Sequence, residues 1–292
     1  MELISVVLPT HNGAERIGAS MDSVLGQSER RLELIVVLDG CTDGTEEVAR
    51  ERAERDGRVR VVRLEKNRGL PGALNEGFAR AGGDLWTWTS DDNEYGAEAL
   101  ERMAERLEAS GADVVVAGME IEWEGEGRVE RYIPPAPERL RLESVAGACF
   151  LYRRRVDEVA GGYDEGERLA EDYGFFLRAW CRGCRFEVLP EVLYRYRMHG
   201  KSLTARYGEA VAEVRDAVIL KHLSEMPDET GRERAKVAVE LAGRYNLRGR
   251  VWQAVRCVGV AARYSPLVAA GALWGAGMAR MRRLAGARGE GR

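Results

Sequence analysis

The sequence lacks an apolar run long enough to cross a membrane. The nearest candidate, Tyr264 to Ala279, is uncharged and bounded by Arg263 and Arg280. It falls short of the roughly 20 apolar residues that a membrane-spanning helix needs. The opening residues carry no basic segment ahead of their strand-length apolar run, so we expect no signal peptide.

Cysteine and histidine are scarce, with five and three residues respectively. The odd number of scattered thiols forms no disulfide framework, which predicts a cytoplasmic protein. Cys181 and Cys184 resemble a redox motif or half of a zinc site. Because no second pair lies nearby, we interpret them as two half-buried thiols at a helix end.

Two nucleotide-binding signatures are also missing. The glycine-containing segment at Asn67 is not followed by the Gly-Lys-Ser/Thr of a phosphate-binding loop, and no dinucleotide fingerprint follows the first apolar segment. The net charge of -4 argues against nucleic acid as a partner. NAD-binding and P-loop functions are therefore disfavoured.

The first part of the chain alternates strictly between strand and helix patterns. Short apolar strands, followed by amphipathic segments, are predicted to begin at Leu3, Leu32, Val59, Asp84 and Asp113. This alternation predicts an α/β fold with a mostly parallel, Rossmann-like sheet flanked by helices. The charged segment from Glu120 to Glu143 predicts a hairpin or a long loop over one edge of that sheet.

The pattern becomes entirely helical from about Gly208. We therefore predict two domains, 1–205 and an all-helical extension, 206–292. From Arg244 onward the extension contains ten arginines and one acid. Two interpretations stay open: a peripheral membrane helix at an anionic surface, or helices packed on the first domain with solvated arginines. The aromatic and sulfur-containing side chains that favour the membrane interpretation are Trp252, Trp274, Met278 and Met281.

Four polar clusters follow predicted strands. In an open parallel sheet, ligands bind at the carboxyl ends of the strands, so these clusters would share one crevice. They contain Pro9, Thr10 and Asn12; Asp39; Asn67; and Ser90, Asp91 and Asp92. Asp39 could accept a hydrogen bond from a nucleobase or merely form a turn. The pair Asp91 and Asp92 could bind a divalent metal with a phosphate, or could cap a helix.

Two later features complete the candidate site. Glu171 and Asp172 open a predicted helix, where acids are common, but either carboxylate could also remove a proton from a hydroxyl group. His199 follows a strand in a basic segment and could ligate a metal through a neutral imidazole. The neighbouring cations that could neutralise a diphosphate are Arg195, Arg197 and Lys201.

These motifs, in this order, resemble glycosyltransferase family 2, whose members have the GT-A fold. The resemblance covers about residues 3–204. Its landmarks are Ser5-Val-Val-Leu-Pro-Thr-His-Asn-Gly, Val37-Leu-Asp-Gly-Cys-Thr-Asp-Gly-Thr, Asn67-Arg-Gly-Leu-Pro-Gly, Thr89-Ser-Asp-Asp, Glu171-Asp172 and Tyr196-Arg-Met-His.

The resemblance implies roles for individual residues. Asp39 would bind the nucleobase, Asp91 would ligate Mg²⁺ or Mn²⁺, and His199 would reach the metal or the diphosphate. Asp172 would be the general base, with Glu171 beside it. The further residues expected on the nucleotide side are Pro9, Thr10, Asn12, Asn67 and Ser90, and Asp92 could assist the metal.

The chain departs from the family pattern at three positions. Leu38 precedes Asp39 where the family has a second acid, and His11 replaces an aromatic residue. Thr89 stands where the metal motif has its first acid, which leaves Asp91 as the carboxylate of that motif.

The combined prediction is an inverting glycosyltransferase. It would move a sugar from a UDP-type nucleotide-sugar to a hydroxyl acceptor. Peripheral contact of a cytoplasmic enzyme with the inner face of the membrane would bring a lipid-linked acceptor within reach. Cell-surface polysaccharide or glycolipid synthesis is the expected process. The alternative is a non-catalytic nucleotide-sugar-binding protein, or a scaffold that works through its helical tail.

Overall fold

The computed structural model describes residues 2–200 and 202–273. The chain divides into two compact units, Met1–Val218 and Ile219–Arg292. The division lies inside a helix, α7 (Leu203–His222). The boundary predicted between residues 205 and 206 stays a prediction.

The first unit is built on one mixed sheet. Its spatial order is β3-β2-β1-β4-β8-β6-β9-β5, and β7 pairs with β6. The strands are β1 (Ile4–Thr10), β2 (Leu32–Asp39), β3 (Val59–Leu64), β4 (Leu85–Trp88), β5 (Glu94–Tyr95), β6 (Val114–Trp123), β7 (Arg128–Tyr132), β8 (Phe150–Arg153) and β9 (Phe186–Met198). β1 to β4 run parallel, as do β6 and β9, whereas β8 lies antiparallel between β4 and β6.

Helices of the first unit pack buried apolar side chains against the sheet. Every residue of β1 is buried, which is the pattern of a strand covered on both sides. The helices of the described residues are α1 (Ile17–Leu25), α2 (Thr45–Arg55), α3 (Gly69–Phe78), α4 (Ala99–Ser110), α5 (Arg155–Ala160), α6 (Glu171–Cys181), α7 (Leu203–His222), α8 (Arg232–Leu247), α9 (Val251–Tyr264) and a helical segment at 266–273.

The structure confirms the alternating α/β pattern and corrects it in detail. The charged segment after Gly118 forms the β6–β7 hairpin, with Met119 opposite Tyr132. The segment Phe186-Glu-Val-Leu predicts a short strand. In the structure this strand, β9, runs for 13 residues to Met198. Most of its side chains are only partly buried, so the sequence lacks the continuous apolar run of a buried strand. The two-residue β5 and the six-residue α5 were not predicted.

The second unit is helical, and α8 and α9 pack against each other. The buried face of α9 consists of Ala254, Cys257 and Ala261. Trp252 lies on the other face and is 84% exposed. Trp274, Met278 and Met281 lie outside the described residues. Within the described ranges, no helix combines the length and apolar character that a bilayer crossing requires.

Candidate active site

The polar clusters lie at one edge of the sheet. β1 is hydrogen-bonded to both β2 and β4, and these three parallel strands end at Thr10, Asp39 and Trp88. Side chains just beyond the strand ends therefore meet. Hydrogen bonds join the loop after β1 to the loop after β2 and to the loop after β4.

Asp39 fixes the loop that begins α3. Its Oδ1 accepts the backbone N–H of Arg68 at 2.7 Å, and its Oδ2 accepts that of Gly69 at 2.9 Å. Asn67 also accepts from the Gly69 N–H, at 2.9 Å. The carboxylate of Asp39 is only 4% exposed, yet each oxygen keeps a second lone pair. The side chain thus holds a loop and can still accept one further donor.

The loop after β1 is held against the loop after β2. Oδ1 of Asn12, whose φ is 60°, accepts the backbone N–H of Thr42 at 2.8 Å. Nδ1 of His11 lies 2.7 Å from the carbonyl oxygen of Asp39. A carbonyl oxygen can only accept, so this ring nitrogen carries the proton. Pro9 is buried within β1.

The carboxylate of Asp91 packs against the loop after β1. Thr10 donates its hydroxyl hydrogen to Oδ2 of Asp91. A Cβ added to Gly13 would clash with the same oxygen, so a larger residue there would displace the carboxylate. Burial, opposed by the Thr10 hydrogen bond and reinforced by the neighbouring charge of Asp92, raises the pKa of Asp91 to about 6.

Asp92 faces the end of β9. Its Oδ2 lies 2.9 Å from Nε2 of His199, whose side chain is 8% exposed. Its Oδ1 is buried and has no hydrogen-bond partner among the described residues. A buried carboxylate oxygen without a donor is costly unless a ligand supplies positive charge.

The residues just before this acidic pair have structural roles. The carbonyl oxygen of Ser90 accepts the hydroxyl of Ser20 at 2.7 Å. Thr89 is fully buried and pairs with the hydroxyl of Tyr194 at 2.7 Å. The position where the family motif has its first acid therefore points into the core, not toward a ligand.

Glu171 and Asp172 occupy the first turn of α6. Glu171 is 5% exposed, and burial together with the charge of Asp172 raises its pKa to about 7. Its Oε2 has no hydrogen-bond partner within the described ranges. Oδ1 of Asp172 accepts the backbone N–H of Tyr173 at 2.6 Å. Burial also raises the pKa of Asp172, against the charge of Arg215 on α7.

Arg168 links the acids of α6 to the Asp39 loop. Its Cζ lies 3.4 Å from the position that a Cβ on Gly69 would occupy, and its charge lowers the pKa of Glu171. No motif identified Arg168, because its position against Gly69 depends on the tertiary fold.

Two of the three predicted diphosphate-binding cations are already paired. Arg195 and Arg197 form ion pairs with Glu94 at 3.6 Å and 2.5 Å. Lys201 lies outside the described residues. Another cation, Arg16 of the loop before α1, binds Glu124 at 2.9 Å and acts electrostatically on Asp92. Sequence patterns gave no sign of Arg16, since it is an ordinary polar position at a helix start.

The comparisons with known proteins agree on one family. The model of Glycosyl transferase family 2 matches residues 5–161. The uncharacterized glycosyltransferase EpsJ of Bacillus subtilis is 32% identical over an alignment of 220 residues that covers 69% of this chain and 63% of that protein. The succinoglycan biosynthesis protein ExoO of Rhizobium meliloti is 28% identical over 220 residues, covering 69% of this chain and 62% of that protein. The chain thus spans less than two thirds of the length of these two relatives.

Solved structures confirm the GT-A fold. S. aureus TarS 1-349 in complex with UDP-GlcNAc superimposes with a TM-score of 0.70 at 19% identity, covering 91% of this chain and 82% of that one. The mannosyltransferase PcManGT of Pyrobaculum calidifontis, in complex with GDP-Man and Mn²⁺, gives a TM-score of 0.61 at 22% identity, covering 95% and 80%. At these identities the likeness concerns the fold alone.

Proposed function

Because the chain belongs to glycosyl transferase family 2, we propose that it is an inverting glycosyltransferase that moves a sugar from a nucleotide-diphosphate donor to an acceptor hydroxyl. The observation that carries the proposal is the meeting of Asp39, Asp91 and the Asp92–His199 pair at the carboxyl ends of adjacent parallel strands. This is where an open α/β sheet binds nucleotides.

A UDP-sugar is the proposed donor. Asp39 has lone pairs left for a nucleobase N–H after holding the two backbone amides. The TarS complex with UDP-GlcNAc supports a uridine nucleotide on this fold, and succinoglycan biosynthesis by ExoO supports a role in making a cell-surface polysaccharide.

The acidic pair fits a divalent cation that is shared with the donor. No group of three or more His, Cys, Asp or Glu side chains in the described ranges is arranged to hold a metal alone. Mg²⁺ commonly binds one or two carboxylates and completes its shell with substrate phosphates and water. Asp91 has a raised pKa beside Asp92, whose Oδ1 has no partner, and both features favour a cation there. When bound, Mg²⁺ or Mn²⁺ would act as a Lewis acid on the diphosphate.

Asp172 is the proposed general base. Its Oδ1 is held by the Tyr173 amide, which leaves Oδ2 to take the proton of the acceptor hydroxyl. The resulting oxygen nucleophile attacks the anomeric carbon from the face opposite the diphosphate. The bond to the nucleoside diphosphate breaks, and the configuration inverts. A raised pKa makes Asp172 a stronger base than an exposed aspartate.

Asp172→Asn tests this assignment. We expect transfer to fall at least 100-fold, within the range that general-base catalysis contributes, while the affinity for UDP stays within twofold. Glu126→Gln, at an exposed turn, is the control. Transfer at the wild-type rate by Asp172→Asn would remove Asp172 from the mechanism.

One observation favours the second candidate function, a nucleotide-sugar-binding protein without catalysis. Thr89 replaces the first acid of the metal motif and is engaged in the core. A labelled UDP-sugar panel, assayed for transfer and hydrolysis with Mn²⁺ present, separates the two. Binding of a donor without turnover of any kind would support the non-catalytic function.

We also propose that the second unit touches an anionic membrane surface. On α9 the exposed apolar side chains Val251, Trp252 and Val255 lie close to the exposed Arg256. An apolar strip with arginine at its border is typical of an interfacial helix. Co-sedimentation with phosphatidylglycerol vesicles should fall at least fivefold in Trp252→Ala. Equal binding by this variant and the wild type would contradict the proposal.

A further inference from the structure

Arg168 is an exposed arginine in the loop before α6 whose N–H groups have no acceptor. To the residues that the structure describes it donates no hydrogen bond, and it forms no ion pair with them within 4 Å. The other arginine of this region, Arg68, pairs with Glu76 at 2.9 Å and with Glu165 at 3.0 Å. A guanidinium carries five N–H donors, so Arg168 keeps its full capacity to bind an oxygen atom.

The loop that carries Arg168 runs along the start of α3. Nδ2 of Asn75 donates to the carbonyl oxygen of Tyr163 at 2.8 Å, and the backbone N–H of Tyr163 donates to Oδ1 of Asn75 at 2.9 Å. Further along the loop, Oε1 of Glu165 accepts from Arg68 at 3.0 Å. Direct hydrogen bonds therefore hold this loop beside the residues that begin α3.

The backbone next to Arg168 has an unusual conformation. Leu169 has a φ of 77°, in the left-handed region that a leucine rarely adopts. Glu167, on the other side of Arg168, is buried and pairs with Arg178 at 2.7 Å. Backbone strain of this kind persists only where the surrounding structure imposes it, and it is concentrated at functional sites. The fold thus fixes the loop on both sides of Arg168.

The guanidinium of Arg168 packs on the backbone of Gly69. Its Cζ, Nη2 and Nε lie 3.4, 3.5 and 3.6 Å from the position that a Cβ on Gly69 would occupy, so a face of the group is turned toward this residue. The N–H of Gly69 is the one that Oδ2 of Asp39 accepts at 2.9 Å. No ion pair joins Arg168 to Asp39, although both contact the same residue. The edges of the guanidinium, which carry its N–H groups, remain available.

A hydrogen-bond donor and an acceptor therefore flank Gly69. Each carboxylate oxygen of Asp39 accepts one backbone N–H and can accept a further donor, whereas Arg168 can only donate. A ligand that satisfies both presents an N–H beside a carbonyl oxygen. Uracil has this edge, because its ring N3–H lies between two carbonyl groups. In cytosine the same ring nitrogen carries no hydrogen, and an amino group replaces one carbonyl.

Resting on the proposed function, we propose that Arg168 is a specificity-determining residue of the donor site: it donates a hydrogen bond to a carbonyl oxygen of the nucleobase, while Asp39 accepts the adjacent ring N–H. Together the two side chains select a uridine nucleotide over a cytidine nucleotide. With cytosine, an amino group would face the N–H donors of Arg168, and both would lack an acceptor.

Calorimetric titration of the full chain with UDP and CDP, in the presence of Mn²⁺, tests the inference without requiring turnover. We expect the wild type to bind UDP at least tenfold more tightly than CDP. Arg168→Ala should lower the affinity for UDP at least tenfold and change that for CDP by less than twofold, because only the uracil carbonyl accepts from Arg168. Arg168→Lys, which keeps a cationic donor without the planar fork, should lose less.

Two controls accompany these variants. Arg131→Ala removes an arginine of β7 whose side chain is 75% exposed and should bind both nucleotides as the wild type does. UMP lacks the second phosphate but keeps the base, so Arg168→Ala should weaken UMP by the same factor as UDP. The urea midpoint of Arg168→Ala should match that of the wild type, since the side chain makes no hydrogen bond within the described part of the protein.

The outcomes separate this inference from the proposed function. Equal losses for UDP and CDP in Arg168→Ala overturn it, because Arg168 would then bind the diphosphate that both share. Unchanged UDP affinity also overturns it, and Arg168 would act only through its charge on Glu171. In either case the glycosyltransferase assignment stands. If the wild type binds no nucleoside diphosphate or nucleotide-sugar, the proposed function itself has failed.

Discussion

Replacing Glu171 by glutamine should make the protein more stable at alkaline pH. Glu171 is 5% exposed, its Oε2 has no partner, and its pKa is raised from 4.5 to about 7. The folded state therefore holds the proton more tightly than the unfolded chain does. Below pH 4.5 the side chain is protonated in both states and adds no penalty.

The magnitude follows from proton linkage. Between pH 4.5 and 7 the unfolded chain has lost the proton that the folded state keeps, so the free energy of unfolding falls as pH rises. Above pH 7 the full penalty is present and amounts to ~3 kcal/mol, from about 1.4 kcal/mol for each pH unit between the two values. Glutamine cannot ionise, so the variant lacks this free-energy penalty.

Urea unfolding at pH 5 and pH 8, without substrates, measures the effect. We expect Glu171→Gln and the wild type to differ by less than ~1 kcal/mol at pH 5, and the variant to be more stable by about 2–3 kcal/mol at pH 8. Glu126→Gln, at an exposed turn, should follow the wild type at both values. The reasoning would be refuted by a glutamine variant with the same stability as the wild type at pH 8.

Three further predictions address the nucleotide and metal side. Asp39→Asn should lower the free energy of unfolding by about 1–3 kcal/mol even without nucleotide, because an amide NH₂ would face a backbone N–H at the start of α3. An unchanged urea midpoint would contradict this. Gly13→Ala places a methyl group against Oδ2 of Asp91 and should displace this carboxylate, so Mn²⁺-dependent UDP binding measured by calorimetry should weaken at least tenfold. Gly57→Ala, which adds a methyl group in open space, should leave this binding unchanged. Asp92→Asn should weaken Mn²⁺ binding to the UDP complex, measured by water proton relaxation; equal relaxation would place the cation elsewhere.

The sheet and the strand-end clusters were predictable because both depend on local sequence. Apolar runs such as Leu3–Leu8 and Leu34–Leu38 specify buried strands, and alternation with helices implies parallel pairing. Parallel strands bring their carboxyl ends to one edge, so the meeting of Asp39 and Asp91 follows from topology. β9 was predicted too short because a half-exposed strand carries polar residues that resemble a loop.

The sequence could not predict which side-chain oxygen atoms of the site remain available to a ligand. A sequence cannot reveal that each carboxylate oxygen of Asp39 accepts one hydrogen bond, from the amides of Arg68 and Gly69. Nor can it reveal that Thr89 points to Tyr194 instead of a ligand. These outcomes depend on side-chain packing between segments far apart in the chain.

The sequence by itself determined the family, the α/β pattern and the edge of the sheet where polar residues gather, because strand and helix periodicity are local properties. Only the tertiary structure brought Arg168 to Gly69, Tyr194 to Thr89 and His199 to Asp92. Contacts of this kind depend on how helices pack, and packing is set by many side chains together. The charges that surround the proposed base, and with them its affinity for a proton, are therefore a property of the folded chain.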